Sequence, residues 1–244
     1  MSNSQELYNA LAVLDSIGDF QELNRRLCEM TPEQMHTYRE QLDAFKNCHQ
    51  EGSKVSDYEK GKILEKLVYL LLQFSGGLFS VKQNVATNTN EIDIVCELTP
   101  KGQILLSRNL LPIKQNAFLG ECKNYKRAVD VTYVGKFACL MLTTAYQLGI
   151  LFSYHGVTGR KWDNAQGLIR KFYLSRERID DRYSIIAFSV DDFEAICNGI
   201  TFLDIIKRKM EMLRLDTDYL SKLTHHPLEN DILHYSPKGR MPLN

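Results

Sequence analysis

Phe118-Leu119-Gly120-Glu121-Cys122-Lys123-Asn124 sets an acid and a lysine two positions apart inside an apolar run. Read as a strand, it puts Glu121 and Lys123 on one face and Cys122 on the other. Glu91-Ile92-Asp93-Ile94-Val95 repeats the theme upstream. Alternation there places Glu91, Asp93 and Val95 on one face, and Ile92, Ile94 and Cys96 on the other. A carboxylate inside an apolar strand is costly unless it is paired or bound to a metal. If the two strands pair, Asp93 and Glu121 can face each other.

The flanking sequence supplies the rest of the frame. Ser56 and Glu59 form a capping box, and the helix they start runs to about Phe74, where Gly76-Gly77 ends it. Strands are expected at 79–85, 91–97 and 117–123. A helix follows over about 131–148, then a strand at 149–153 and a helix over about 164–174. A β-rich stretch at 183–190, a short helix at 191–197 and a long helix capped by Thr201 and Asp204 complete the order. Pro100, Gly102 and Pro112 predict an inserted hairpin or loop over 98–116. This order predicts an α/β fold, a mixed β-sheet flanked by helices.

Upstream, Leu7, Leu11, Leu14 and Ile17 share a helical face, Gly18 supplies a stop, and Asp19 opens a second helix. Thr31-Pro32-Glu33-Gln34 starts a third with a capping Thr, Pro at the first helical position and Gln closing the box. Residues 1–52 are therefore expected to form an acidic helical module for oligomerisation or partner binding. The sheet domain is expected over 53–200, with a helix and an irregular tail over 201–244.

The 244 residues, 44% hydrophobic and 25% charged, are ordinary globular usage. No apolar run is long enough to span a membrane, and the N-terminus lacks a signal-peptide pattern, so a soluble cytoplasmic protein is expected. Six scattered cysteines without a CxxC pair speak against a structural zinc site or a disulfide framework. Net charge is zero, but its distribution is uneven. Residues 1–50 hold eight acids against four bases, whereas residues 121–182 hold eleven bases against six acids. The basic excess lies in the stretch that also carries Glu121 and Lys123.

Two carboxylates and a backbone carbonyl, that of Cys122, make a hard oxygen site suited to Mg²⁺ or Mn²⁺. Such an ion generates a nucleophilic water, and Lys123 can hold that water or offset charge on a phosphorane. Glu65 is a fourth candidate. It borders the apolar stripe Leu64, Leu67, Val68 and Leu71 of its helix, and Gly61 one turn earlier leaves room beside it.

Glu65, Asp93 and Glu121-x-Lys123, in that order on helix, strand and strand, resemble the PD-(D/E)xK nucleases, and more narrowly the Mrr-like restriction-endonuclease branch. The surrounding text is similar too: Gly61-Lys-Ile-Leu-Glu-Lys-Leu-Val68, Asn90-Glu-Ile-Asp-Ile-Val95 and Glu121-Cys-Lys-Asn-Tyr125. The resemblance covers about residues 56–155. It implies a restriction-endonuclease-like fold, DNA cleavage with Mg²⁺, and dimeric assembly in many members. It implies Asp93 and Glu121 as metal ligands, Lys123 as the catalytic lysine and Glu65 as the helix acid. Asn90-Glu91-Ile92 stands in place of the nominal proline context.

Lys126, Arg127, Lys136, Arg160 and Lys161 are the candidate nucleic-acid contacts. For any one of them an ordinary solvated face is the plainer reading; as a group they can position phosphates. Tyr125 and Trp162 can stack on bases or simply pack. The expected activity is endonucleolytic cleavage of DNA in restriction or defence against foreign DNA. The alternatives are a nuclease effector acting on RNA or single strands under a partner's control, and a non-cleaving binding module on the same fold. The expected assembly is a homodimer, or a partner subunit, docked through the N-terminal helices.

Overall fold

The computed structural model describes Ala12 and residues 20–86 and 91–215. The Leu7–Ile17 face, the Asp19 start and the 216–244 tail with His225 and His226 lie outside these residues. Five strands form one sheet in chain order: β1 (Phe79–Ala86), β2 (Glu91–Leu98), β3 (Ala117–Lys123), β4 (Leu148–Ser153) and β5 (Ser184–Phe188). β1, β2 and β3 run antiparallel; β4 and β5 run parallel to β3. The chain is thus a mixed α/β protein with helices on both faces of its sheet, as expected from the element order. Every residue of β4 is buried, as a strand covered on both faces requires.

Eight α-helices are present among the described residues: α1 (Phe20–Cys28), α2 (Pro32–Asn47), α3 (Asp57–Gln73), α4 (Pro100–Ser107), α5 (Val131–Thr144), α6 (Asn164–Leu174), α7 (Val190–Cys197) and α8 (Phe202–Leu215). Their starts follow the capping chemistry of the sequence. Thr31 accepts from the Gln34 N–H while the Gln34 side chain accepts from the Thr31 N–H. Ser56 with Glu59, and Thr201 with Asp204, repeat the arrangement.

α4 corrects the expected hairpin or loop over 98–116. Thr99 caps it by accepting from the Gly102 N–H, and Pro100 occupies its first turn. Thr99-Pro100 repeats the Thr-Pro start of α2. Gly102 is needed for packing: a Cβ there would lie 2.7 Å from the Leu78 carbonyl oxygen. α5 is also shorter than expected. It ends at Thr144, with Ala145 in the left-handed region at φ 59°, so Gln147 lies on the turn into β4. There it accepts from Gln115 and donates to the Asp180 carbonyl.

Two apolar layers hold the sheet. On one face α1, α2, α3, α4, α7 and α8 bury Tyr38, Phe45, Leu64, Leu67, Phe193 and Phe202 against Ile94, Cys96, Phe118 and Phe152. On the other, α5 and α6 bury Val134, Phe137, Met141 and Ile169 against Val95, Leu119 and Leu151. The boundaries drawn near 52 and 200 therefore mark turns and not breaks in the core. Tyr38, Leu42 and Phe45 of α2 are buried with the α3 leucines, and Tyr38 Oη donates to the Phe193 carbonyl at 3.1 Å. The apolar face of α2 is occupied by the chain's own core.

Phe45 touches Tyr154 and Phe193 and is fully buried. Phe45→Ala should cost about 3–5 kcal/mol in a single cooperative denaturant transition. An early, separate transition for the N-terminal helices would instead show a module that folds on its own.

Candidate active site

β2 and β3 pair through Ile94↔Gly120, Val95↔Leu119, Cys96↔Phe118 and Glu97↔Ala117. Asp93 and Glu121 stand one position beyond the Ile94↔Gly120 pair. Here the Asp93 side chain continues what the backbone ladder leaves off: Asp93 Oδ2 accepts from the Cys122 N–H at 2.8 Å. The carboxylate is thereby held in the split between two strands.

The expected strict alternation on β2 fails at this point. Ile94 and Cys96 belong to the first apolar layer, but Ile92 joins Val95 in the second. β1 shows the same change of side, with Val81 against the first layer and Val85 against the second. Between them Asn84 has φ 52°, and the ladder resumes at Val85↔Ile92. The two strands thus turn together at the level of Asn84 and Asp93.

β3 keeps its alternation. Cys122 is buried in the first layer, so Glu121 and Lys123 face the side of α5 and α6. Lys123 Nζ lies 2.6 Å from Glu121 Oε1 and 3.7 Å from Asp93 Oδ2. All three side chains are about four-fifths buried. Burial, reinforced by the charge of Asp93, raises the Glu121 carboxyl above the usual range, and Lys123 only partly offsets this. For Lys123, burial works against the ammonium, but Glu121 and Asp93 outweigh it and the net direction is upward. The ammonium is the glue between two acids that would otherwise repel.

Glu65 approaches from α3. Its carboxylate is 17% exposed and pairs with Lys62 Nζ at 2.6 Å. The Cys122 thiol is raised by burial and, to a smaller degree, by the charges of Asp93, Glu65 and Glu121. A Cβ on Gly61 would meet nothing within 4 Å, so space is open on that stretch of α3. Among the described residues no group of three or more His, Cys, Asp and Glu side chains is placed to hold a metal ion.

Asn124 and His49 were not singled out in the sequence. Asn124 is 7% exposed. It donates to the Lys60 carbonyl of α3 at 2.6 Å, and its Oδ1 meets His49 Nε2 at 2.5 Å. His49 stacks on Tyr154 at 3.7 Å between ring centroids. The residue after Lys123 is thus clamped to α3 and to the chain leaving α2. A buried Asn directly after an E-x-K strand is a signal that could have been read; His49 carries none.

The five basic candidates sit around this end of the sheet. Lys126 and Arg127 leave β3, Arg160 and Lys161 leave β4, and all four are exposed. β3 and β4 are parallel, and a bridge between Val129 and Val157 joins the segments that follow them. Lys136, on α5, has its ammonium 5.4 Å from the Tyr133 ring centroid. Trp162 is half-buried under Arg170, whose guanidinium lies 5.6 Å from its ring centroid. No protein-family model, curated protein or solved structure matches the chain.

The Glu121–Lys123 pair sets a pH signature in the absence of metal. A raised folded-state carboxyl gives stability that is full below its ordinary value of 4.5 and falls as pH rises through the folded value. Lys123→Met removes the group that limits this rise. The stability gap between wild type and Lys123→Met, measured by denaturant unfolding in EDTA, should widen as pH climbs from 4.5 toward neutrality. Adding Glu121→Gln to Lys123→Met should flatten that dependence. A pH-independent gap would show that Lys123 does not compensate Glu121.

Proposed function

We propose that this chain is a metal-dependent nuclease of the PD-(D/E)xK type, Mrr-like branch, hydrolysing phosphodiester bonds in DNA. The observation that carries the reading is the convergence of Asp93 and Glu121, from adjacent strands, on the single ammonium of Lys123. The element order supports it: a helix bearing Glu65, a three-strand meander, a crossover helix and a parallel strand.

The donor set fits a hard divalent cation. Two carboxylates and the Cys122 carbonyl supply oxygen only, and Mg²⁺ commonly takes one or two carboxylates and fills its remaining positions with water and phosphate. The like-charge cost at Glu121 is a cost that a cation relieves. When bound, the ion would lower the pKa of a coordinated water and shield the scissile phosphate.

The protein's own groups have distinct tasks. Cys122 N–H fixes one Asp93 oxygen and so orients the other as a ligand. Glu121 presents its carboxylate on the same side as Lys123. Lys123 keeps its proton near neutrality and is poised to hold the attacking water or to stabilise charge on the phosphorane. Asn124 anchors the end of β3, so the lysine does not drift. Glu65 adds negative charge from α3 and can reach the ion through water. Lys126, Arg127, Arg160 and Lys161 would hold phosphates and set the path of the strand, without reading bases.

Supercoiled plasmid and circular single-stranded DNA, incubated with Mg²⁺ or Mn²⁺, should be nicked or linearised by the full chain and not in EDTA. Asp93→Ala should lose both cleavage and the metal-induced rise in melting temperature. In wild type that rise should correspond to about 2.7 kcal/mol at a metal concentration 100-fold over Kd. Lys123→Ala should slow cleavage at least about 100-fold while keeping the fold. Cleavage undiminished in Lys123→Ala would sink the mechanism. Absence of cleavage on DNA and RNA alike would leave a binding module.

A further inference from the structure

Tyr125 follows the catalytic strand by two residues and is not used by the mechanism above. Its side chain is 40% exposed, unusual for a ring set beside a buried acid–lysine cluster. It is nevertheless held in place. Its ring lies 5.2 Å from that of Tyr133, tilted by 50°. Tyr133, on the first turn of α5, packs against the second apolar layer, the layer on whose side Glu121 and Lys123 lie. Only Asn124 separates Tyr125 from Lys123 at the end of β3. Lys136 sits over the Tyr133 ring, and Lys126 and Arg127 come next in the chain, both exposed.

An exposed aromatic ring, set against a second ring and followed by exposed cations, is an arrangement that can bind an unpaired base. The base stacks on the ring and its phosphates meet the lysines and arginine. A duplex keeps its bases inside the helix and offers no such face unless a nucleotide is turned out. A tyrosine placed only for packing would be buried; this one is 40% exposed.

We propose that Tyr125 is a stacking platform for an unpaired base beside the scissile phosphate, so that the strand held at this site is single-stranded. The proposal rests on the nuclease reading for the word scissile, but the platform is tested by binding alone. Anisotropy of a labelled oligothymidylate, and of an abasic strand of the same length, is measured with the full chain in EDTA. Wild type should bind oligothymidylate about 5- to 100-fold tighter than the abasic strand. Tyr125→Phe should keep that preference. Tyr125→Ala and Tyr125→Leu should each bind the two strands equally, and a thermal melt identifies any variant that has lost its fold; Leu keeps apolar bulk without a π face.

Equal binding of both strands by wild type overturns the proposal. So does binding of neither strand, and so does a preference that survives in the Ala and Leu variants. Plasmid cleavage without any strand preference keeps the hydrolase and removes the platform. A Tyr125-dependent preference without cleavage keeps the platform and removes the hydrolase.

Discussion

The bond from the Cys122 N–H to Asp93 Oδ2 is the hinge of the site. Sheets normally satisfy such a donor with a carbonyl on the next strand. Here a side chain substitutes, and the exchange lets β2 turn away from β3 without leaving a buried N–H unpaired. The turn carries Ile92 and Val85 across to the second apolar layer and lifts the Asp93 carboxylate into the gap. Glu121 and Lys123 need no distortion, because β3 continues straight into its parallel pairing with β4 at Leu151 and Ser153. One strand bends and the other does not, and the acids meet where they part.

Much of this was legible in the residues. The capping boxes at Thr31, Ser56 and Thr201 fixed three helix starts because their chemistry is local and carried by a few neighbouring side chains. Asp93, Glu121 and Lys123 stood out because charge inside an apolar strand demands a partner. What failed was nonlocal. Period-two reading assigned Ile92 to the wrong layer, since nothing in Glu91-Ile92-Asp93 announces that Asn84, on another strand, sits at φ 52°. α4 was missed because Pro100 and Gly102 signal either a helix start or a turn, and only the seat against Leu78 decides between them. His49 was invisible because its role depends on Asn124, 75 residues later.

The acidic N-terminal segment takes on a different character in the folded chain. Its charge suggested a helical module for oligomerisation or partner binding; Tyr38, Leu42 and Phe45 lie in the main core, and Lys46 reaches Glu194 of α7. Acidity on α2 is the solvent face of a helix whose other face is structural. The helix braces α3 and α7 from outside and, through His49, reaches the end of β3. A chain of contacts from Phe45 through His49 thus joins α2 to Asn124, the residue beside Lys123.

The Tyr38 hydroxyl finds its acceptor on Phe193, 155 positions further along the chain. A ribosome delivers the chain from its N-terminus at a few residues per second. The acids and lysine of β2 and β3 emerge well before α7 exists to seat α2, and hence before His49 and Asn124 have a rigid frame. The unfinished polypeptide thus carries Asp93, Glu121 and Lys123 before the frame around them can close. Their alignment is acquired late, as a property of the completed molecule.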